Sequence, residues 1–503
     1  MKLINTEHIY FLNLLSTKIF NTINDYKNVV ITIIFVIVAY FTLFHQLGKA
    51  TMYLWDESIY SLNAQEMVER GNIIEVYLNN QPDLFNSKPP FAIWCMALSI
   101  RMLGFNELAV RLPAALFAFF TGLLIMVFVC KETNNKWLGL AGALVLFSST
   151  GYVGWHVART ADTDAIVAFW ITLYSILGYQ LIKNDYQKKS DIWWFFVALT
   201  FACLTKGIAG LLGTPAIFGW WLFRPNKQTL LKTPAFYYGI LLFIFIVGGY
   251  YVLRSYYTDG YAQAVLKNEL GGRMNWQHEL NAERTSFDFY INEIVDKHEF
   301  FIWIYWFLLA VGYGIYKLFK APVTGFYFLG CWMVMLGLLS ASATKFEWYD
   351  APLFPLMAII VVLAVGELIQ IVEAKIKWLL IFSFITCAIL LIGRITEQNI
   401  KEQGEGNLKR FMQLVRIEKG INEKITFINK EARFNLFFYM KKDELEGYSN
   451  AQSLVHEQME VNTLVAIVNE KDNQELAKMY NLQLIAECGE CKLFKVLEGR
   501  KIR

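Results

Sequence analysis

Long apolar runs separated by short polar stretches make up most of this chain as far as about residue 400. A helix needs roughly 20 apolar residues to cross the core of a bilayer. Eleven runs approach that length, at 29–46, 109–130, 137–155, 164–182, 191–205, 207–223, 235–254, 299–317, 323–342, 351–370 and 378–396. No small-residue cleavage site follows the first run, so we interpret it as a retained span and not as a signal peptide.

The last hundred residues follow a different pattern. Helix-like stretches, at Asn407 to Lys419 and Asn473 to Tyr480, alternate with β-like runs at Ile425 to Ile428, Leu464 to Val468, Leu482 to Ala486 and Lys492 to Val496. Such alternation is typical of a small α/β domain. The pattern therefore predicts two domains, a polytopic membrane domain at 1–398 and an α/β domain at 399–503.

The positions of the basic residues predict how the spans are oriented. A further apolar segment, from Pro89 to Leu103, lies between the first two runs. If it does not span, every second short loop is rich in basic residues, namely Lys131, Lys136, Lys183, Lys188, Lys189, Arg224, Lys227, Lys232, Lys317, Lys320, Lys375 and Lys377. Cytoplasmic loops carry this excess, so we expect the regions 47–108, 255–298 and 399–503 to be extracytoplasmic, with 89–103 at the membrane interface.

Composition supports a membrane protein and excludes a nucleic-acid partner. The 503 residues are 56% hydrophobic and only 18% charged, and the net charge of +3 comes without a basic stripe. Five of the seven cysteines lie in apolar runs, where a thiol usually behaves as a small hydrophobe. Cys488 and Cys491 flank Gly489-Glu490 between two β-like runs, which favours a hairpin turn, with a disulfide or metal site as the alternative.

Two adjacent acids, Asp56 and Glu57, begin the polar region after the first span. Tyr60 and Met67 continue the spacing of one helix face, so both acids stand in the first turn of a predicted helix. Carboxylates there stabilise the helix dipole, which is one interpretation. The other is a general base at the end of the membrane that faces water.

A second acidic group, Asp162 and Asp164 with Arg159 nearby, stands just before the fourth apolar run. Ionisable residues at such a boundary tend to mark function, although Asp164 could simply cap the helix. Lys88, Lys206 and Lys345 lie on the side that the orientation predicts to be poor in basic residues. They could bind the phosphate of a lipid headgroup, or they could snorkel to the interface.

Taken together, these segments resemble the GT-C superfamily of glycosyltransferases that use lipid carriers, in the group of protein O-mannosyltransferases and the lipid A aminoarabinose transferase. The likeness covers about residues 50–360. It is carried by Asp56-Glu57 with Tyr60, Ala64, Met67 and Gly71, by Lys88-Pro89-Pro90, by Glu107 to Pro113, by Ala158-Arg159 and Thr163-Asp164, by Leu204 to Gly207, and by Lys345 through Tyr349 to Pro355. The first-loop pattern is its most specific part.

The resemblance implies a GT-C fold with about 11 to 13 transmembrane helices, and inverting transfer of a sugar from a polyprenyl phosphate to a lipid, glycan or protein acceptor. It implies an inner-membrane location, with membrane lipids and the polyprenyl-phosphate donor as partners. The predicted catalytic residues are Asp56, as base, with Glu57 and Asp164. The predicted substrate-binding residues are Tyr60, Lys88, Arg159, Asp162, Lys206, Arg273, Lys345 and Tyr349.

The chain departs from the family at Ser87, because the aminoarabinose transferase has an acid directly before the lysine of the first loop. We therefore predict no metal site and no cofactor, and the sugar and acceptor stay open. A transporter or flippase of lipid-linked sugars is the main alternative function. Transporters often contain two related halves with interrupted helices, and no such repeat stands out in this sequence.

Overall fold

The computed structural model describes residues 26–224, 226–271, 286–295, 300, 302–318, 324–401, 407–428, 433–453 and 459–499. In chain order, the first ten α-helices of the described residues are α1 (Lys27–Ala39), α2 (Asp56–Arg70), α3 (Phe91–Leu103), α4 (Glu107–Thr133), α5 (Lys136–Phe147), α6 (Thr150–Val153), α7 (Asp164–Lys183), α8 (Lys189–Lys206), α9 (Thr214–Leu222) and α10 (Lys227–Leu231). They are followed by α11 (Pro234–Phe243), α12 (Gly249–Tyr257), α13 (Tyr261–Val265), α14 (Phe289–Val295), α15 (Trp303–Leu318), α16 (Thr324–Ala341), α17 (Leu353–Ile371) and α18 (Ala374–Lys401).

Shorter helical segments of other types extend or join these helices. The π-helical segments Tyr40–Phe44, Ile244–Gly248 and Leu266–Gly271 follow α1, α11 and α13, and the 3₁₀ segments Gly207–Leu211 and Glu347–Asp350 follow α8 and precede α17. A two-stranded hairpin of β1 (Tyr77–Leu78) and β2 (Gln81–Pro82) lies between α2 and α3.

Each of the eleven apolar runs coincides with helix in the described structure, so the predicted α-helical architecture is confirmed. By length and composition, six helices among the described residues could each cross a membrane. The run at 207–223 is the least regular, because a 3₁₀ segment and a break precede the nine residues of α9. Its glycine-rich start accounts for this, since Gly207 has a positive φ of 56° that ends α8.

Helix α3 does not have the dimensions of a span. Its 13 residues extend about 20 Å, short of the roughly 30 Å of a hydrocarbon core. Its buried residues Ile93, Met96 and Ile100 share one hydrophobic cluster with residues of α2 and with Phe411 and Phe438 of the C-terminal domain. The first polar region and the C-terminal domain therefore lie on the same side of the protein.

The C-terminal domain consists of a five-stranded sheet with helices packed against it. Its elements are α19 (Leu408–Gln413) with the π-helical segment Leu414–Glu418, β3 (Ile425–Ile428), α20 (Phe434–Leu445), β4 (Asn450–Ser453), β5 (Leu464–Ile467), α21 (Glu470–Met479), β6 (Tyr480–Cys488) and β7 (Cys491–Gly499). The strand order is β4-β3-β5-β7-β6, in which β3 pairs in parallel with β4 and β5 and the other pairs are antiparallel. The predicted α/β domain is thus present.

The turn between β6 and β7 is the predicted hairpin. Cys488 and Cys491 are paired across it, and Gly489 has a φ of 60°, which suits a two-residue turn. Both thiols are free. Burial of Cys491 raises the pKa of its thiol to about 12, so it stays protonated at neutral pH and behaves as a small hydrophobe.

Candidate active site

Three segments that are far apart in the sequence meet at one end of the helical bundle. They are the first turn of α2, the loop 154–163 before α7, and the region where the end of α8 faces the 3₁₀ segment Glu347–Asp350. The buried hydroxyl of Tyr60 lies among them. Burial, followed by the carboxylates of Asp56, Asp162 and Asp164, raises the pKa of the Tyr60 phenol well above its usual value. Tyr60 is therefore a neutral group inside an acidic cluster.

Asp56, the predicted base, is partly exposed at the start of α2. Among the residues that the structure describes, none forms a hydrogen bond or ion pair with its carboxylate. One of its oxygens lies within 4.8 Å of a ring nitrogen of His156 and of an oxygen of Asp162. Asp56 is thus a carboxylate that can accept a proton without first giving up a partner.

Glu57, the next residue, is fully buried and fully engaged. Its Oε1 accepts hydrogen bonds from Arg111 Nε at 2.7 Å and from the Ala161 amide at 3.0 Å. Its Oε2 accepts from Arg111 Nη2 and from the Tyr53 amide, each at 2.9 Å. The structure therefore places this predicted catalytic acid in a buried ion pair that joins α2, α4 and the loop 154–163.

Asp164 and Lys206 form a second buried ion pair, in which the ammonium of Lys206 donates to Asp164 Oδ1. The same ammonium lies 4.6 Å from the centre of the Tyr349 ring. The start of α7, the end of α8 and the segment before α17 thereby meet at one point. Two charges in a buried site need such pairing, because removing either from water is costly.

Lys88 closes the cluster on the side of the first polar region. Its Nζ donates to the Tyr60 hydroxyl at 2.6 Å and lies 5.2 Å from the centre of that ring. The carbonyl of Lys88 accepts from Arg254 Nη1 at 3.2 Å, which anchors the segment to α12. The lysine next to Ser87 is thus hydrogen-bonded to the tyrosine that lies among the acids of the site.

His156 is a site residue that the sequence reasoning missed. Its Nδ1 lies 3.0 Å from Asp162 Oδ2, and its ring stacks on Trp348 with centres 3.8 Å apart. Burial alone would lower the pKa of the imidazole, but the Asp162 carboxylate raises it, and the net direction is upward. Burial also raises the pKa of Asp162. A histidine six residues before Asp162, in a loop at a membrane boundary, was the available signal.

Asp56, His156 and Asp162 together have a ligand set and a spacing that could also accommodate a divalent cation. Two carboxylates and an imidazole are ordinary ligands for such ions. The same spacing suits a hydrogen-bonded cluster without an ion. The prediction of no metal stays a prediction.

The remaining predicted residues lie at different distances from this cluster. Arg159 is buried, and its guanidinium donates to the carbonyls of Leu43 at 3.1 Å and His45 at 3.2 Å, so it caps the end of the first span. Lys345 is buried next to the cluster, donates to the Ser342 carbonyl at 2.6 Å, and has a pKa lowered by burial. Arg273 lies outside the described residues.

Two cavities flank the segment that follows Lys206. The first has Asp164, Lys206 and Tyr349 at its polar end, and its other walls are mostly apolar, including Val167, Leu212, Leu338 and Leu339. The second is an apolar groove between α8, α11 and α13, lined by Phe243, Val247 and Val265, with Glu269 at one end. Glu269 accepts a hydrogen bond from Ser87 Oγ at 3.0 Å, so a carboxylate does lie next to the residue before Lys88.

Comparisons with known proteins identify the class to which this architecture belongs. The family model described as dolichyl-phosphate-mannose-protein mannosyltransferase matches residues 87–251. The solved structure of ArnT from Cupriavidus metallidurans bound to undecaprenyl phosphate superposes with a TM-score of 0.67 at 14% identity, covering 92% of this chain and 97% of that one. At this identity the likeness shows the fold.

Two curated proteins are related in sequence. An uncharacterized protein of Aquifex aeolicus (strain VF5) is 28% identical over 339 residues, which are 66% of this chain and 63% of that protein. The undecaprenyl phosphate-alpha-4-amino-4-deoxy-L-arabinose arabinosyl transferase of Photorhabdus laumondii (strain DSM 15139 / CIP 105565 / TT01) is 22% identical over 183 residues, 35% of this chain and 32% of that protein. The chain thus aligns with less than two thirds of the length of either relative.

The structure has the fold of a polytopic membrane protein similar to ArnT, with a charged site at one end of its helical bundle. The match to the mannosyltransferase family model and the ArnT-like fold confirm the predicted resemblance to GT-C glycosyltransferases and the predicted fold class, and they support the predicted enzyme class.

Proposed function

We propose that the protein transfers a sugar from a polyprenyl-phosphate donor to a hydroxyl of a lipid, glycan or protein acceptor, with inversion at the anomeric carbon. One observation carries the proposal. A carboxylate without a partner among the described residues, Asp56, lies with Asp164 around Tyr60, which accepts a hydrogen bond from Lys88. Asp164 and its partner Lys206 in turn line a largely apolar cavity. A base, cations and a place for a lipid chain are what this reaction requires.

The donor phosphate fits between Lys206 and Lys88. Lys206 already contacts Tyr349 and Asp164, so its ammonium is held at the cavity, and Lys88 is hydrogen-bonded to Tyr60, which lies near Asp164. A phosphate placed there would accept charge-assisted hydrogen bonds from the ammonium groups of these lysines. The apolar walls that continue from this point, at Leu212, Leu338 and Leu339, suit the start of a prenyl chain.

Asp56 then acts as the general base. As the acceptor oxygen bonds to the anomeric carbon, its proton passes to Asp56, and the bond between that carbon and the phosphate oxygen breaks with its electron pair on the phosphate. The lysines stabilise the charge that develops on the departing polyprenyl phosphate. The acceptor attacks from the face opposite the phosphate, which inverts the anomeric configuration.

We further propose that no metal or other cofactor is needed. The ammonium groups of Lys88 and Lys206 would hold the leaving phosphate, and the carboxylate of Asp56 would receive the proton. Side chains of the chain therefore supply both the charge stabilisation and the base. His156, whose Nδ1 lies 3.0 Å from Asp162, also lies beside Asp56.

The proposed site faces the extracytoplasmic side of the inner membrane. The first polar region and the C-terminal domain lie on one side of the protein. The intervening short loops of the other side carry the lysine-rich set, which favours a cytoplasmic position for them. A transporter of lipid-linked sugars is less well supported, because transport alone needs no general base.

The test is release of polyprenyl phosphate. Purified protein in lipid nanodiscs is incubated with polyprenyl-phosphate sugars extracted from its source membrane, with and without an acceptor extract, and free carrier is followed by mass spectrometry. We expect acceptor-dependent release by wild-type protein and none by Asp56→Ala. The matched control is Asp259→Ala, which removes an exposed carboxylate from the polar region after α12.

The outcomes separate the alternatives. Release that depends on both Asp56 and the acceptor supports transfer and identifies the donor sugar. Movement of intact donor between leaflets without release would support the transporter. Release unchanged in Asp56→Ala would remove Asp56 from the mechanism.

A further inference from the structure

The C-terminal domain contacts the chain immediately before Asp56. Residues 45–55 form turns and irregular backbone between α1 and α2, so they have few hydrogen bonds of their own. Much of its backbone is therefore satisfied by contacts from elsewhere in the chain. Two sets of these contacts lie close to Asp56, one from Arg111 of α4 and one from the C-terminal domain.

Arg111 of α4 holds the inner side of this segment. Its Nη1 donates to the carbonyls of Leu47 and Ala50, and its Nη2 to that of Thr51, all at 3.0 Å. The same guanidinium binds Glu57. Arg111 therefore contacts the segment at three carbonyls between Leu47 and Thr51.

The C-terminal domain holds the outer side. Lys409 Nζ donates to the carbonyls of Gly48 at 2.6 Å and Lys49 at 3.2 Å, and the Met52 amide donates to the Tyr439 hydroxyl at 3.2 Å. Phe434, at the start of α20, packs against Trp55 with ring centres 5.9 Å apart. The contacts thus run along the segment to the residue before Asp56.

Glu107 anchors these contacts to the membrane domain. It is buried at the start of α4, one helical turn before Arg111, and it forms ion pairs at 3.0 Å with both Lys409 and Lys442. The Tyr439 hydroxyl donates to its Oε1 at 3.3 Å. Three side chains of the C-terminal domain thus converge on one buried carboxylate, which defines a single docked position of that domain.

We propose that the C-terminal domain is a positioning domain, which holds the segment before Asp56, and through it the Asp56 carboxylate, by way of Tyr439, Lys409 and Lys442. The alternative is a domain that docks the acceptor. The proposal rests on the function proposed above for its kinetic readout, because it places these residues behind the base and away from the substrates. Displacing a reacting group by about 1 Å can cost roughly a hundredfold in rate.

The first experiment uses Tyr439→Phe, which removes the hydroxyl and keeps the ring. The control is Tyr448→Phe, another tyrosine of the same domain, whose ring lies over Arg416. Donor cleavage is measured in nanodiscs with polyprenyl-phosphate sugars from the source membrane, once with the acceptor extract and once with water alone. We expect kcat to fall about tenfold or more in both reactions, with KM for donor and acceptor unchanged and Tyr448→Phe like wild type.

A positioning role predicts this equal loss in the two reactions, because water and acceptor use the same base. A raised KM for acceptor with normal cleavage by water would overturn the proposal in favour of docking. Unchanged kcat in both Tyr439→Phe and Lys442→Met would also overturn the proposal. The control for Lys442→Met is Lys419→Met, because Lys419 is an exposed lysine of the same domain.

A second measurement does not depend on catalysis. Hydrogen–deuterium exchange of residues 47–55 is compared between wild type and Tyr439→Phe. Faster exchange confined to this segment, with the rest of the C-terminal domain unchanged, is the expected result, and identical exchange would contradict it. If wild-type protein cleaved no donor, the proposed function would be wrong. The exchange measurement would still show whether the C-terminal domain holds residues 47–55 in place.

Discussion

Asp56 and Glu57 are adjacent acidic residues, but they differ in burial and in hydrogen bonding. Glu57 is completely buried and accepts four hydrogen bonds from Arg111 and two amides. Asp56 is partly exposed, faces the His156 and Asp162 cluster, and has no such partner among the described residues. The Glu57 carboxylate therefore holds the first turn of α2 in place, while the Asp56 carboxylate stays available for chemistry.

The largest effect is expected at Asp56. Asp56→Asn removes the proposed base with almost no change in shape, so turnover should fall by about 10²–10⁴-fold while thermal stability stays at the wild-type level. Both are measured on the same nanodisc preparation, with Asp259→Asn as control. Loss of stability equal to that of a Glu57 variant would erase the distinction between the two acids.

Glu57→Gln should show the reverse pattern. Removing one member of a buried ion pair leaves Arg111 uncompensated, which typically costs about 3–5 kcal/mol. The variant is expected to unfold at a clearly lower temperature and to lose activity as folded protein is lost. A doubly substituted Glu57→Met, Arg111→Met protein should be more stable than either single variant. Full stability with no activity in Glu57→Gln would instead assign it to the chemistry.

A third prediction extends the comparison to the lysines of the site. Lys206→Met leaves Asp164 buried without its partner and removes a cation from the proposed phosphate position. KM for the donor should rise by roughly tenfold to a hundredfold, in line with about 1.5–3 kcal/mol for a hydrogen bond to a charged group. Lys206→Arg should recover part of it. Lys267→Met, at an exposed lysine, provides the control.

The smallest effect concerns the pH dependence of the His156 and Asp162 pair. Burial lowers and the Asp162 carboxylate raises the pKa of His156, with a net rise in the folded protein. The stability contributed by the protonated imidazole is then present below its unfolded pKa of about 6.5 and is lost as pH rises through the higher folded value. The melting temperatures of wild type and His156→Gln should differ more at about pH 6 than at about pH 9. A constant difference would contradict the ion pair.

The sequence predicts the helical architecture well, because the signal for a span is local. An apolar run of sufficient length must be helical in a bilayer, whatever surrounds it. Asp56, Asp162 and Asp164 are candidates for a related reason, since each stands in a polar stretch between apolar runs, where a charge is conspicuous.

The partners of these residues were not predictable. Glu57 and Arg111 are 54 residues apart, and nothing local distinguishes Glu57 from Asp56. An arginine at the start of an apolar run was the only indication that a buried acid is needed. Strand β4 was also missed, because Asn450–Ser453 is mostly polar and lies at the sheet edge without hydrophobic alternation. Helix α20 was missed because its aromatic run is too short to show a clear period.

The hold of the C-terminal domain on residues 48–52 has a consequence for biosynthesis. Lys409 and Tyr439 contact residues that precede them by 361 and 387 positions in the chain. Chains fold from the N-terminus as they leave the ribosome, so Asp56 emerges long before the residues that brace it. The site is therefore completed by the last part of the protein to be made. A nascent chain halted before residue 409 would carry every proposed reacting group, but it would lack the contacts of Lys409 and Tyr439 that position the segment before Asp56.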